Sequence, residues 1–366
     1  MSEKESPRGP APRANPHLYG HAAAEAALLE AYQGGRLAHA WILGGPRGIG
    51  KATLAYRFAR FLLARPARGG GGGLFAAAPA PASLALASDH PVFRRVASGG
   101  HADLLTLERR FDEERRRLKT EIGIEEARTV ADFLHLTPAE GGWRVVVIDG
   151  AEEMSRNAAN AVLKIIEEPP AQALVLMVSH APGRVLATLR SRCRRLTLKA
   201  LDETALARVL AERLPELTGQ EADLLKRLAD GSAGRALALA EEGGLTLFRE
   251  MMALLAGLPR LDTAALHRLA DRTAGAQGES AYRTLTELLL WWLARLVRAA
   301  GTRQIPTELV AGEGALCGRL AAEPRLDRWL EVWEKIGHLL ARQDSVNLER
   351  KQVVLNAFLA LESAAQ

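Results

Sequence analysis

The stretch that most constrains this chain is Gly44-Gly45-Pro46-Arg47-Gly48-Ile49-Gly50-Lys51, set between an apolar run, Ala38 to Leu43, and an amphipathic segment, Lys51 to Ala64. Glycines at that density free the backbone from the usual limits and let successive N–H groups converge on one point. The apolar run bounded by glycines reads as a buried strand, and the segment from Lys51 as a helix whose positive end faces the loop. Strand, glycine loop and helix in that order make a phosphate-binding loop. Gly45, Gly50 and Lys51 fit GxxxxGK, with Gly48 inside the loop and the Lys placed to reach the outer phosphates. The bland alternative is a glycine turn with an exposed Lys.

The pattern around this motif predicts an α/β fold. His21 to Gln33 and Ile124 to Leu134 read as helices, and Asp103–Leu107 as a strand. Trp143–Gly150 is a dense β-branched run, a strand. Ser155 is the expected N-cap of a helix with Ala158, Ala161, Val162, Ile165 and Ile166 at helical spacing, stopped by Pro169-Pro170. Ala173–Ser179 and Arg194–Leu198 complete the strands. Strands alternating with helices imply a parallel sheet covered on both faces. After Lys199 only helical periodicity is left, and Trp291–Val297 is apolar over several faces, as in a helix buried within a bundle. The expected organisation is a disordered tail (1–16), a P-loop domain (17–200) with a flexible Gly/Ala/Pro insert (66–88), a small helical lid (201–243) and a helical domain (245–366), with Gly243-Gly244 as a hinge. No internal repeat is visible.

Composition narrows the class. Two cysteines in 366 residues, Cys193 and Cys317, argue against a disulfide framework or a Cys-ligated zinc site and fit a cytoplasmic protein. No apolar run reaches the roughly 20 residues a membrane span needs, and the N-terminus lacks the apolar core of a signal peptide. The net charge of +5 comes with 48 basic residues, only eight of them Lys, and permits nucleic-acid contact without showing it. The Arg-rich stretch 109–119 reads as a solvated face. His21, His90 and His101 have no metal-ligand spacing and are given no role.

Three further features bear on chemistry. The residue after Lys51 should carry a hydroxyl to hold Mg²⁺, but it is Ala52. Thr53 lies about 100° further round the helix. Asp149 ends an apolar strand, the Walker B position for orienting Mg²⁺, although a turn-capping role stays open. Ser191-Arg192-Cys193 follows the Ala173–Ser179 strand and a helix beginning near Pro182. Cys193 reads as a small packed residue.

Taken together, His39-Ala40-Trp41 before GGPRGIGK (44–51), NAANAVLKIIEEPP (157–170), SHAPGRVLATLRSRCRR (179–195) and GSAGRALAL (231–239) resemble, in order and spacing, the delta-prime members of the bacterial DNA polymerase III clamp-loader family, in the AAA+ class. The resemblance covers most of the first 240 residues; beyond them only length and helical character agree. It implies that Arg192 is an arginine finger reaching a neighbouring subunit's ATP site. Arg235 falls at the sensor-2 position, and either Ser179 or His180 at sensor 1. Hydrolysing relatives carry a Glu after the Walker B Asp, whereas this chain has Gly150. With Ala52, that implies a degenerate nucleotide site of Gly45, Gly48, Gly50, Lys51, Thr53, Asp149, Ser179 and Arg235. ATP is then bound weakly or not at all, and Mg²⁺ only with nucleotide. No zinc is expected, because the family's four-Cys module is missing. The implied partners are gamma/tau and delta subunits and, through the complex, the sliding clamp and primed DNA, with no membrane. The chain would then be part of a polymerase holoenzyme rather than an ATPase by itself. The alternatives are an active AAA+ ATPase of gamma/tau type or a nucleotide-sensing adaptor.

Overall fold

The computed structural model describes residues 9–65, 81–112, 117–275, 277–321, 326–346 and 348–366. Gly69–Gly73, most of the expected insert, and Arg115-Arg116 lie outside the described residues. The chain divides into two compact units: one runs to Pro215 and includes Gly231–Arg235, and the other holds Glu216–Asp230 and Ala236–Gln366. Residues 201–243 thus contribute to both.

The first unit runs α1 (Ala22–Gln33), β1 (Ala40–Gly44), α2 (Lys51–Leu63), α3 (Pro91–Ala97) and β2 (Leu104–Leu107). A short antiparallel hairpin follows, β3 (Phe111–Asp112) and β4 (Arg117–Leu118). Then come α4 (Ile124–His135), β5 (Arg144–Asp149), α5 (Arg156–Glu167), β6 (Ala173–Ser179), α6 (Ala187–Arg192), β7 (Arg194–Thr197) and α7 (Glu203–Arg213). Five parallel strands form the sheet in the order β2-β5-β6-β1-β7. Because side chains alternate along a strand, β5 feeds two cores. Val145 and Val147 join Leu54, Phe58 and Leu62 of α2 on one face. Val146 and Ile148 join Ala158, Val162 and Ile166 of α5 on the other. Ser155 caps α5 as expected, its Oγ accepting from the Ala158 amide at 3.2 Å.

Two expectations are corrected, and one helix goes unread. Residues 9–16 do not hang loose: the buried Arg60 guanidinium donates to the carbonyls of Arg13 and Asn15 at 2.9 and 2.8 Å, fixing a backbone that side-chain composition made look disordered. The described end of the insert is tied as well, since Leu84 is buried in the first core and its amide donates to Glu25 at 3.0 Å. The helix α3 escaped the pattern reading because it spans only seven residues, although Pro91 at its first turn is a helix-start signal.

The second unit is helical: α8 (Gly219–Ala229), most of α9 (Ala233–Glu241), α10 (Gly244–Ala256), α11 (Thr263–Asp271), α12 (Glu279–Thr302), α13 (Glu313–Ala321), α14 (Leu326–Val346) and α15 (Arg350–Ala365). Gly243 adopts a φ of 67° and starts α10. In α12, Leu289, Trp292, Leu293 and Leu296 are buried, as the apolar Trp291–Val297 run anticipated. No helix among the described residues is long and apolar enough to cross a membrane.

Candidate functional site

The strand register brings the site together. Gly44 at the end of β1 is level with Ser179 of β6, and Asp149 of β5 with Val178. The glycine loop, Asp149 and Ser179 therefore leave the sheet at the same C-terminal edge, where open α/β sheets bind ligands.

Gly45, Gly48 and Gly50 adopt φ values of 145°, 74° and 103°, a region other residues avoid. The loop carbonyls are taken from outside. Lys51 Nζ donates to the Gly45 oxygen at 2.7 Å and to the Pro46 oxygen. Ser232 Oγ donates to Arg47 O and the Gly234 amide to Gly48 O, each at 2.8 Å. His21 Nε2 lies 2.6 Å from Ile49 O. Burial holds the His21 ring below its ordinary pKa, so at neutral pH the ring is uncharged and its Nε2–H donates to Ile49. The histidine given no role on spacing thus supports the loop.

Lys51 is only 2% exposed. Burial pushes its ammonium down to about 8, against the pull of Asp149 and Glu152. Burial, then the nearby Glu108, pushes the Asp149 carboxyl up to about 6. Glu152, unassigned in the sequence, turns back toward β6: its Oε1 accepts from the amides of His180 and Ala181 at 2.8 and 3.2 Å. Burial alone would raise that carboxyl, but its own amide, Ser179 and His180 hold it below the ordinary value. Ser179 is completely buried, whereas His180 is half-buried and its pKa is lowered first by burial and then by Lys51. Ser179 and His180 both lie beside Glu152, at the end of β6. Arg235 reaches the loop through its backbone: its amide donates to Ser232 Oγ at 3.1 Å and lies 3.3 Å from where a Cβ on Gly48 would sit.

The cradle fits a phosphate, with left-handed glycines, a lysine and the first turn of α2. The metal-holding half does not match. Ala52 offers a methyl, and Thr53 is buried within α2. Gly150 is more than a missing side chain: its φ is 84°, and a Cβ there would come within 2.5 Å of Glu153 Oε2. A Glu at this position would be strained whatever its chemistry.

Arg192 stands apart. It ends α6, just before β7, and the register sets Arg194 opposite Trp41 at the start of β1. Arg192 therefore sits at the N-terminal edge of the sheet, opposite the glycine loop. Its Nε is 2.9 Å from Glu167 Oε1, and both side chains are exposed. Cys193 is buried, which pushes its thiol up to about 12 and makes it a packed residue rather than a nucleophile.

These features define a P-loop α/β domain whose glycine loop leaves the sheet at its C-terminal edge. The sequence profile of the family described as DNA polymerase III, delta subunit, matches residues 20–202. A DNA polymerase III subunit delta' of Pseudomonas aeruginosa is 35% identical over 201 residues, covering 54% of this chain and 55% of that protein. The Escherichia coli subunit delta' is 32% identical, covering 58% and 57%. The Escherichia coli subunit tau is 28% identical over 75% of this chain and 41% of that protein. The chain belongs to the delta-prime clamp-loader family of DNA polymerase III. Its match spans little more than half the length of those delta' relatives. Among solved structures, a gamma subunit-related protein from Thermotoga maritima superposes loosely, with a TM-score of 0.42 at 17% identity over 92% of this chain and 99% of that one.

Proposed function

We propose that this chain is a non-hydrolysing, delta-prime-type subunit of a bacterial clamp loader. It would assemble with gamma/tau and delta subunits and help place a sliding clamp on primed DNA. The observation that carries the reading is the separation of Arg192 from the chain's own phosphate loop by the full length of the sheet. An exposed guanidinium there cannot serve its own site but is free to meet a phosphate presented by a neighbour. Guanidinium suits that task because it stays charged and offers a planar fork of donors. In its own site, Gly45, Gly48, Gly50 and Lys51 would hold the phosphates of a weakly bound ATP. Arg235 and His180 would lie beside them, and Mg²⁺ would enter only with nucleotide. The helical second unit would carry the contacts of assembly. Zinc has no part in this reading.

The test is co-purification with candidate gamma/tau and delta subunits, with ATPase assayed before and after clamp and primed DNA are added. The isolated chain should show no turnover above background. The second reading, an active gamma/tau-like ATPase, is favoured by the retained Lys51 and by tau relatives that align over more of the chain. Turnover by the isolated chain that Lys51→Ala abolishes would establish it instead.

A further inference from the structure

Glu167 of the LKxxEEPP motif and Arg192 of the SRC motif lie 25 residues apart in sequence, yet their side chains meet. Glu167 is the last residue of α5, which the Pro169-Pro170 pair stops, and Arg192 is the last residue of α6. Arg192 Nε sits 2.9 Å from Glu167 Oε1, and its Nη1 donates to the Thr188 carbonyl at 3.3 Å. Both side chains are more than two-fifths exposed, at 45% and 42%. Exposed ion pairs contribute little to folding stability, so stability is a poor account of this one. Its geometry offers a better one. A guanidinium carries five N–H donors in a rigid plane. Two are engaged, by a carboxylate on one helix and a carbonyl on its own, which sets the direction of the plane. Three N–H donors on the Nη groups are left for an anion.

We infer that Glu167 is a positioning residue for Arg192, holding the guanidinium plane with its outer Nη edge presented before a neighbour's phosphate arrives. This inference rests on the proposed finger role of Arg192. Pre-setting a long, rotamer-rich side chain removes an ordering cost that would otherwise be met in the transition state. Releasing the plane should therefore lower turnover at the served site by roughly 2- to 10-fold, much less than removing the guanidinium.

The experiment uses the complex reconstituted with its ATP-hydrolysing subunits, comparing wild type with Glu167→Ala, Glu167→Gln, Arg192→Ala and the Glu167→Ala/Arg192→Ala double variant. Glu168→Ala, one residue along, is the control. Circular dichroism and complex yield should not change, because the pair is exposed. Glu167→Ala should lower kcat with KM for ATP unchanged. Glu167→Gln, which keeps an acceptor oxygen, should recover part of the loss, and Glu168→Ala should resemble wild type. In the Arg192→Ala background, Glu167→Ala should cost nothing more. If Arg192→Ala lowers kcat while Glu167→Ala leaves it unchanged or raises it, the positioning role is overturned and the finger stands. If Arg192→Ala has no effect, the finger reading falls and this inference falls with it.

Discussion

The two edges of the parallel sheet handle charge in opposite ways. At the C-terminal edge Lys51 and Ser179 are 2% and 0% exposed, and every loop carbonyl from Gly45 to Ile49 accepts from a lysine, a serine, an amide or a histidine. Buried charge is costly unless it is hydrogen-bonded, so this edge is closely tied. At the N-terminal edge Arg192 meets one carboxylate and one carbonyl, in water. The difference teaches that a tightly hydrogen-bonded loop and an exposed, lightly held cation can stand at opposite ends of one sheet. On the proposed reading the loop is kept for its shape and the cation serves a neighbour.

The largest effect should come from the open edge. Arg192→Ala should leave folding and assembly intact while the ATP site it serves loses much of its rate. Arginine fingers contribute roughly 10³–10⁵ where measured. Total turnover of a complex with several sites falls only by that site's share. Arg192→Lys should recover little, and ATPase at matched complex concentration decides. Full activity of Arg192→Ala would erase the contrast between the edges.

The closed edge should respond in stability instead. Gly45→Ala forces a φ of 145° on alanine and brings its Cβ within 2.3 Å of the Leu198 carbonyl oxygen. A loss of roughly 2–4 kcal/mol in denaturant unfolding is expected. A loss below about 0.5 kcal/mol would mean that the loop is looser than its hydrogen bonds imply.

Lys51 sharpens the comparison through pH. Its folded pKa of about 8 is below the ordinary 10.5. Below pH 8 both folded and unfolded states carry the charge, and the folded state bears the whole cost of burying it. From pH 8 to 10.5 the folded state sheds its proton first, so that cost is relieved and stability rises. Relative to Lys51→Met, the wild type should therefore gain about 1–3 kcal/mol across this window, read by urea unfolding at pH 7 and pH 10. A difference that stays flat would place the ammonium in water. The smallest effect is expected from Glu152→Ala, which leaves the His180 and Ala181 amides without their acceptor and should cost about 1–2 kcal/mol.

Much of the first unit was legible because its signals are local. The β5 run, the Ser155 cap and the Pro169-Pro170 stop each act within a few residues, and each is where the sequence puts it. The loop glycines were readable for the same reason. What escaped depends on contacts distant in sequence. His21 supports a carbonyl 28 residues away, and Ser232 one 185 residues away. Glu152 looked like the start of the next turn, and it does lie in a short 3-10 turn, Ala151–Glu153. Only the strand register shows that this turn faces the end of β6. Arg192 was found through the SRC resemblance, but its partner Glu167 was not, because nothing in the spacing of 25 residues marks a pair.

Gly48 and Gly234 meet backbone to backbone: a Cβ on Gly234 would sit 3.0 Å from Gly48 Cα, and one on Gly48 would sit 3.2 Å from Gly234 Cα. Each position is thus the other's steric boundary. In a mutational library the two should behave as a single locus. Any side chain at one would press on the other's backbone, and trimming the second residue cannot relieve it, since glycine has nothing left to give up; only a backbone shift of a few tenths of an ångström could. Two positions 186 apart in the chain thus constrain each other's drift.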